Sequence, residues 1–510
     1  MDPAAHPTRR GIVAGLVTAL VALGVAELVS SASADWRSPV LDVGDRVIDG
    51  VPPAVKDLAI EWFGTADKVA LLVGIGVLLA IYAVVVGVVA VRGHLRAGLV
   101  GVGLFGVLGA AAALTARAGR GPAAAIPSIA GALAGAAALL VMVRRARPAR
   151  GAEPAAGDRR AFMSAAIGLT AVGVGAAATG RWLGARFSAV ADRAQVVLPR
   201  ARRPLPPVPA GVEVGVDGVA PFVTPNRDFY RIDTALTVPQ VPVDTWRLQI
   251  DGMVDRPLEL TYAQLLERDL VEADITMTCV SNEVGGGLVG HARWLGVRLD
   301  ELLDEVGVDG RADQVVGRSV DGYTCGFPVE ALDGRDALVA VGMNGEPLPL
   351  RHGFPARLIV PGLYGYVSAT KWLTRIELTR FDQFDQYWVP RGYAAQAPIK
   401  TASRIDTPKG LARIPAGPTP IAGVAWAQTR GIGGVEVRID DGDWQPAEMA
   451  DALGDAVWRQ WKLVWDATPG RHTITVRAIE RDGAIQTDER SEPLPNGSSG
   501  HHQIVVLVQG

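Results

Sequence analysis

Five apolar runs fill the first third of this chain, at residues 11–30, 69–91, 97–116, 123–143 and 161–180. Each is close to the roughly 20 residues that a helix needs to cross a bilayer, and a single segment satisfies its backbone in hydrocarbon only as a helix. The pattern predicts an α-helical membrane domain with five spans over residues 1–180. The first run has a second reading. Arg9 and Arg10, an apolar middle and the small-residue end "SSASA" also have the layout of a secretory leader.

Basic residues set the expected orientation. Arg9 and Arg10 precede the first run, Arg92 and Arg96 separate the second from the third, and "RRARPARGAEPAAGDRR" separates the fourth from the fifth. Those three segments are expected on the cytoplasmic side. The segment 31–68 carries more acid than base and is expected outside, although Arg117 and Arg120 on the next exterior loop run against the rule. Five spans from a cytoplasmic N-terminus put everything after Gly180 outside the cell membrane.

The fifth run opens with "DRRAFMSAAIGLTAVGVG", two arginines before a phenylalanine and a weakly hydrophobic, Ala/Gly-rich helix. This is the layout of a twin-arginine export signal, whose route carries folded domains. The alternative is that Arg159 and Arg160 are ordinary positive-inside anchors. None of the seven histidines lies in a span, so no haem is expected between the helices. Apart from Glu27, the spans hold no charged side chain of the kind a proton or ion path uses. They read as an anchor.

After the spans the composition changes. "RARRPLPPVPAG" marks residues 181–211 as a Pro-rich linker. From 212 to 394, strand-like runs such as "TWRLQI" and "ARLIV" alternate with short helical ones such as "LDELLDEVG", which predicts an α+β domain. From 395 to 510 the runs are strands only, spaced as in an immunoglobulin-like β-sandwich. A net charge of −3 over 510 residues argues against a nucleic-acid partner.

The chain has two cysteines, Cys279 and Cys325, both in this exterior half. In an oxidising compartment they could pair. Alternatively, Cys279 could ligate a metal as a lone soft thiolate, for no Cys-x-x-Cys or histidine pair at zinc spacing is present. A single protein sulfur would then need sulfur from a cofactor beside it. Cys325, two residues beyond Tyr323, would lie near the site or fill core.

Several separated stretches carry a resemblance: "TPNRDFYRID", "TMTCVSNEVGG", "DGYTCGFP", "NGEPLPLRHGFPARLIVPGLYGYVSATKWLTRIEL" and, nearer the end, "IAGVAWA", "WKLVWDATPGRH" and "GHHQIVVLV". In this order they make residues 215–508 similar to the sulfite oxidase family of molybdopterin-dependent oxidoreductases, in a prokaryotic, membrane-anchored form. The resemblance implies that Cys279 ligates molybdenum, that Tyr323 stands near the metal as a catalytic residue, and that the cofactor is molybdenum with a pyranopterin. It implies cofactor contacts from Asn226, Phe229, Tyr230, Asn282, His352, Arg357, Ser368, Thr370 and Lys371, although the segment from Gly365 runs one residue longer than the family's. It also implies that the C-terminal region is the family's dimerisation domain, so a homodimer is an expected partner.

The residues agree with an anionic pterin phosphate, since Arg357 and Lys371 beside a Gly-rich loop supply charge and donors. They depart from sulfite-oxidising members at Pro225 and at Glu283 and Val284, where arginines would stand. An acidic and an apolar residue disfavour a doubly charged anion. The expected activity is oxygen-atom transfer on a substrate other than sulfite, with an electron-transfer partner that the sequence does not identify. The alternative is a membrane receptor or scaffold in which Cys279 pairs with Cys325.

Overall fold

A computed structural model describes residues 5–51, 55, 62–63, 67–147 and 156–510. The chain divides into two compact units, Met1–Ser188 with Asp233–Val238, and Ala189–Ile232 with Pro239–Gly510.

The first unit is helical: α1 (Ala5–Ser30), α2 (Pro39–Gly50), α3 (Asp67–Val91), α4 (Leu95–Leu114), α5 (Ile126–Ala146) and α6 (Ala156–Gly184). Among the described residues, five helices are long and apolar enough to cross a membrane, namely α1 and α3 to α6. Each expected run maps onto one of them. α1 is the centre of this unit, packed against α3, α5 and α6. Small residues make the approach possible: a Cβ at Gly15 would overlap the Ala83 carbonyl, one at Gly87 the Gly11 carbonyl, and one at Gly24 the Gly173 carbonyl. Such contacts are how helices associate where lipid is as apolar as the side chains.

The sequence reading missed α2, an amphipathic helix between the first two spans. It accounts for the two arginines that ran against the charge rule. Arg120 pairs with the buried Asp42 of α2, and Arg117 Nε lies 3.3 Å from Asp49. Residues 1–4, 52–54, 56–61, 64–66 and 148–155 lie outside the described residues.

The second unit is β-rich. It opens with a short helix, α7 (Ala189–Gln195). Strands β1 (Arg247–Gly252) and β2 (Leu258–Thr261) lead into α8 (Tyr262–Leu266), whose Thr261 and Gln264 form a reciprocal capping box. β3 (Leu270–Thr278) and β4 (Val289–Arg298) form a hairpin, then come α9 (Leu299–Val306), β5 (Gln314–Ser319), β6 (Thr324–Pro328), β7 (Leu338–Met343), β8 (Glu346–Pro347), β9 (Arg357–Ile359), α10 (Gly365–Ser368) and β10 (Leu373–Thr379). These make two sheets, β2-β1-β10-β5-β6 and β3-β4-β7-β8, with β9 paired to β7. Ile275, Met277, Trp294, Phe354 and Ile359 are among the residues of one buried core here.

Nine further strands follow: β11 (Ala402–Thr407), β12 (Arg413–Pro415), β13 (Gly417–Trp426), β14 (Ile432–Ile439), β15 (Gln445–Pro446), β16 (Glu448–Met449), β17 (Arg459–Ala467), β18 (Gly470–Glu480) and β19 (His502–Gln509). They form the sheets β11-β13-β17-β16 and β12-β19-β18-β14-β15. Ile421, Ala425 and Trp461 of the first sheet share a core with Val437, Ile474, Val476 and Val506 of the second.

Part of the stretch expected as a linker is structured. α6 runs to Gly184, and beyond α7 the basic residues follow the edge of β3: Arg202 N–H donates to Leu270 O at 2.8 Å, and Leu205 N–H to the Glu272 carboxylate at 2.8 Å. An unpaired strand edge offers backbone groups to any extended chain alongside it, which is why a Pro-rich segment settles there.

Candidate functional site

The cysteine-bearing segment is the connection of the β3–β4 hairpin. Pairing runs to Thr278 opposite Val289, and residues 279–288 close on themselves. Cys279 N–H donates to Leu288 O at 2.9 Å, Asn282 N–H donates to Cys279 O at 3.0 Å, and Asn282 Oδ1 accepts from Leu288 N–H at 2.7 Å. The glycines that follow the cysteine are needed for this path. Gly285 has φ +81°, and a Cβ there would overlap the His502 ring.

Cys279 is 8 % exposed, and its thiol is free. Burial pushes its pKa up, while hydrogen bonds from Ser281 pull it down. Three phenols lie near enough to be affected by a charge on its sulfur. Burial raises the pKa of Tyr230, Tyr323 and Tyr364 (Tyr364 to about 12), and the sulfur of Cys279 adds to each shift. Tyr323 Oη donates to Tyr366 O at 2.9 Å, and its ring lies 5.7 Å from that of Tyr387.

Cys325 is also free and buried, so the expected alternative of a Cys279–Cys325 disulfide is corrected. Cys325 sits on β6, in a different sheet from β3, and its sulfur accepts a hydrogen bond from Thr370 Oγ1 at 3.0 Å. Neighbouring packing holds it: a Cβ at Gly317 would meet Cys325 Sγ at 3.1 Å. It fills core.

Arg357 opens β9 and is 5 % exposed. Its guanidinium donates to His352 O at 3.2 Å and to Met277 Sδ at 3.7 Å, and lies 5.0 Å over the Trp294 ring. No carboxylate is among these contacts, and Nε has no hydrogen-bond partner. Burial lowers its pKa to about 10. His352, in the short 3₁₀ turn before it, contacts Asn226 O through Nε2 at 2.9 Å and is held neutral, with a pKa lowered to about 4 by burial and by the charge of Arg357.

Gly353, at φ +109°, lets two chain segments close up: a Cβ there would meet Lys371 Cα at 3.0 Å and Arg357 Cβ at 3.1 Å. Lys371 Nζ donates to Ile232 O at 2.9 Å and lies 5.0 Å from the Trp372 ring centre. Phe229 stacks on Tyr230 at 5.3 Å and meets His352 edge-on at 5.7 Å. Asn226 receives a hydrogen bond from Asn344 at 2.9 Å and donates to Met343 O at 3.2 Å. These contacts bring Asn226, Phe229, Tyr230, His352, Arg357 and Lys371 into one region. Tyr230, which feels both Arg357 and Cys279, connects it to the cysteine.

Other expected contacts point elsewhere. Ser368 Oγ donates to Leu363 O at 3.0 Å and to Tyr364 O at 3.1 Å, capping its own turn. Thr370 Oγ1 faces Cys325 and Gly317. The side-chain oxygen of Asn282 is spent on the hairpin loop. The sequence reading missed Tyr364, Tyr366 and Tyr387 around Tyr323, and Asn344 behind Asn226. Nothing local marks them; only the tertiary fold brings them together. No group of three metal-ligating His, Cys, Asp or Glu side chains occurs among the described residues, so a metal here rests on few protein ligands.

Residues 235–388 match the oxidoreductase molybdopterin binding domain family. The chain is 31 % identical over 175 residues to the uncharacterized oxidoreductase YuiH of Bacillus subtilis, covering 85 % of that protein and 34 % of this one. It is 27 % identical over 320 residues to mitochondrial sulfite oxidase of Homo sapiens, covering 52 % of this chain and 58 % of that one. The chain therefore spans little more than half the length of that sulfite oxidase. Among solved structures, the sulfane dehydrogenase SoxCD of Paracoccus pantotrophus shares the fold, with a TM-score of 0.50 at 22 % identity over 58 % of this chain and 85 % of that one. The chain belongs to the sulfite oxidase family of molybdopterin-dependent oxidoreductases. Its cofactor is molybdenum with molybdopterin.

Proposed function

We propose that this chain is a membrane-anchored oxidoreductase that transfers an oxygen atom to or from an uncharged or weakly polar oxide on the outer side of the membrane. When bound, the cofactor supplies a two-electron metal centre that gains or loses an oxo group. The carrying observation is Arg357. A guanidinium so buried, with no carboxylate and an orphaned Nε, is costly unless an anion joins it, and a pterin phosphate has the charge and the acceptors. Lys371 adds a second cation across Gly353, and neutral His352 together with Asn226, Phe229 and Tyr230 lines the same side. Ser368, Thr370 and Asn282 would meet the cofactor through their backbone groups, because their side chains are bonded elsewhere.

Cys279 is the proposed metal ligand and Tyr323 the proposed phenol beside the substrate. A buried thiol whose pKa is raised stays protonated at neutral pH, and a bound metal would deprotonate it. Sulfite is disfavoured as substrate because Glu283 and Val284 follow the cysteine, while tyrosines surround the thiol.

The finer architecture belongs to the same reading: an anchor over 1–180, a connecting stretch over 181–211, a catalytic domain over 212–394, and an immunoglobulin-like domain over 395–510 through which two copies dimerise. Odd parity of the spans and the arginine distribution favour an exterior catalytic domain. Arg159 and Arg160 are exposed near the start of α6, as a receptor-read twin-arginine pair must be. Changing both to lysine keeps the positive charge; normal export of a molybdenum-loaded domain by that variant would leave the pair as topology anchors only.

The test of function is metal and pterin analysis of the purified chain, before and after Arg357→Met. About one molybdenum and one pterin per chain, both falling at least tenfold in the variant, are expected from the loss of a charge-assisted anion contact. Unchanged cofactor content in Arg357→Met would remove the observation on which the proposal stands.

A further inference from the structure

The β3–β4 hairpin that carries Cys279 is gripped on both sides of the cysteine by residues far away in the sequence, all from the last quarter of the chain. Ahead of the cysteine, Gln428 Nε2 donates to Thr276 O at 3.1 Å and to Thr278 Oγ1 at 3.3 Å. Thr276 N–H donates to Ala456 O at 3.0 Å, and Trp458 N–H donates to Thr276 Oγ1 at 2.8 Å. Behind the cysteine, Arg404 Nη1 donates to Gly286 O at 2.9 Å, and Ser498 Oγ donates to Asn282 O at 2.6 Å. The His502 ring fills the space where a Cβ of Gly285 would stand.

These grips are themselves fixed. Arg404 is 9 % exposed, and its Nε donates to Asp406 at 2.6 Å, whose other oxygen accepts from Ala220 N–H at 3.0 Å. His502 Nδ1 accepts from Ile405 N–H at 3.0 Å, so the ring carries its proton on Nε2 and is held in one orientation. The hairpin's own hydrogen bonds, from Cys279 to Leu288 and from Asn282 to Cys279, set the shape of the loop but not where it lies. Contacts from the C-terminal region fix where the loop lies, alongside the pairing of β4 with β7.

We propose that Arg404, Ser498 and His502 are positioning residues for the Cys279 sulfur, so that the C-terminal β-region takes part in setting the geometry of the metal ligand. This rests on the reading of Cys279 as the ligand. Three contacts on five consecutive residues, Asn282 to Gly286, restrain a loop in which three of the ten residues are glycine and which would otherwise sample many conformations.

The test uses the full-length chain in two states. In cofactor-free protein carrying Cys325→Ser, the alkylation rate of Cys279 reports how often the loop opens. Arg404→Lys and Ser498→Ala should each raise that rate about tenfold, the scale of one lost charge-assisted or buried hydrogen bond. In the cofactor-loaded enzyme the same variants should shift the visible absorption of the sulfur–molybdenum bond while molybdenum content stays unchanged. Arg477→Gln breaks the ion pair with Glu436 elsewhere in the same sheets and should move neither readout. Unchanged alkylation and absorption in both variants, or an equal change in Arg477→Gln, overturns the proposal. The ligand reading fails separately: full activity and molybdenum in Cys279→Ser would sink it while leaving the alkylation readout interpretable.

Discussion

The two units of this chain solve opposite packing problems. The helical unit turns many large apolar side chains outward, with Val100 70 %, Leu78 68 % and Ile167 66 % exposed, and brings its helices together through small ones such as Ala14 and Ala90, fully buried beside Leu139 and Met142. The β-rich unit does the reverse: its largest side chains, Trp246, Trp294, Trp458 and Trp461, are inside. Between helices in lipid there is no gain from hiding an apolar side chain, so close backbone approach and dispersion supply the stability. In water the same area of apolar surface contributes about 25 cal/mol per Å² when buried. The difference teaches where polar chemistry can be kept. Its buried arginine without an acid, its neutral histidines and its free thiol all belong to the unit with a wide, rigid core.

The sharpest way to break the comparison is to remove chemistry from the β-rich unit without touching its packing. Cys279→Ser keeps nearly the same volume at a buried hairpin end and loses the soft sulfur donor. Turnover should fall by a factor on the order of 10³ or more, as when a catalytic centre loses an essential ligand, while circular dichroism and thermal unfolding of the full chain stay within a degree or two. Cys325→Ser should retain most activity, because its sulfur only accepts from Thr370 inside the core. Equal losses in the two variants would mean that the thiols serve packing alone.

A smaller effect is expected in the helical unit. Gly15→Val places a branched side chain against the Ala83 carbonyl, and α1 cannot keep its contact with α3. Overpacking of this kind costs about 1–3 kcal/mol, whereas Val100→Ala on the outward face of α4 should cost almost nothing. Thermal unfolding of the reconstituted chain, followed by helix content, separates them. Similar shifts for both would show that the interior of this unit is not set by small residues.

Much of the helical unit was legible in the sequence because its signal is one-dimensional: a run of about 20 apolar residues identifies itself without reference to the rest of the chain. α2 escaped, since twelve residues with Asp42 and Asp49 among them look like an exterior loop until Arg117 and Arg120 arrive to pair with them. In the β-rich unit, Cys279, Arg357 and Lys371 stood out through motifs that hold backbone and chemistry in a short stretch. Ser368 and Thr370 belonged to the same stretch, yet their hydroxyls turn to backbone carbonyls and to Cys325, a direction set by the local turn and by tertiary packing. Arg404 and Ser498 carried no signal, and His502, within "GHHQIVVLV", gave none of its contact with the hairpin. Each lies over a hundred residues from the hairpin it touches, and no periodicity spans that distance.

The smallest effect concerns pH and the buried histidines of the β-rich unit. His291, His352 and His502 are each held near pKa 4 by burial, with the guanidinium of Arg357 adding to the effect at His352 and that of Arg404 at His502, while Asp274 partly offsets it at His291. An unfolded histidine titrates near 6.5. Between those values the unfolded chain binds more protons than the folded one, so stability is full above about pH 6.5 and is lost as pH falls toward 4. Urea unfolding followed by the buried tryptophans should therefore weaken with acid, and His291→Gln should lower the slope by up to about 1.4 kcal/mol per pH unit, the value for one proton. His291 is the informative position, since it is fully buried, contacts Thr276 Oγ1 through Nδ1 at 3.2 Å, and leaves Nε2 without a partner. A variant with an unaltered slope would mean that His291 titrates alike folded and unfolded, and that its burial does not hold it neutral.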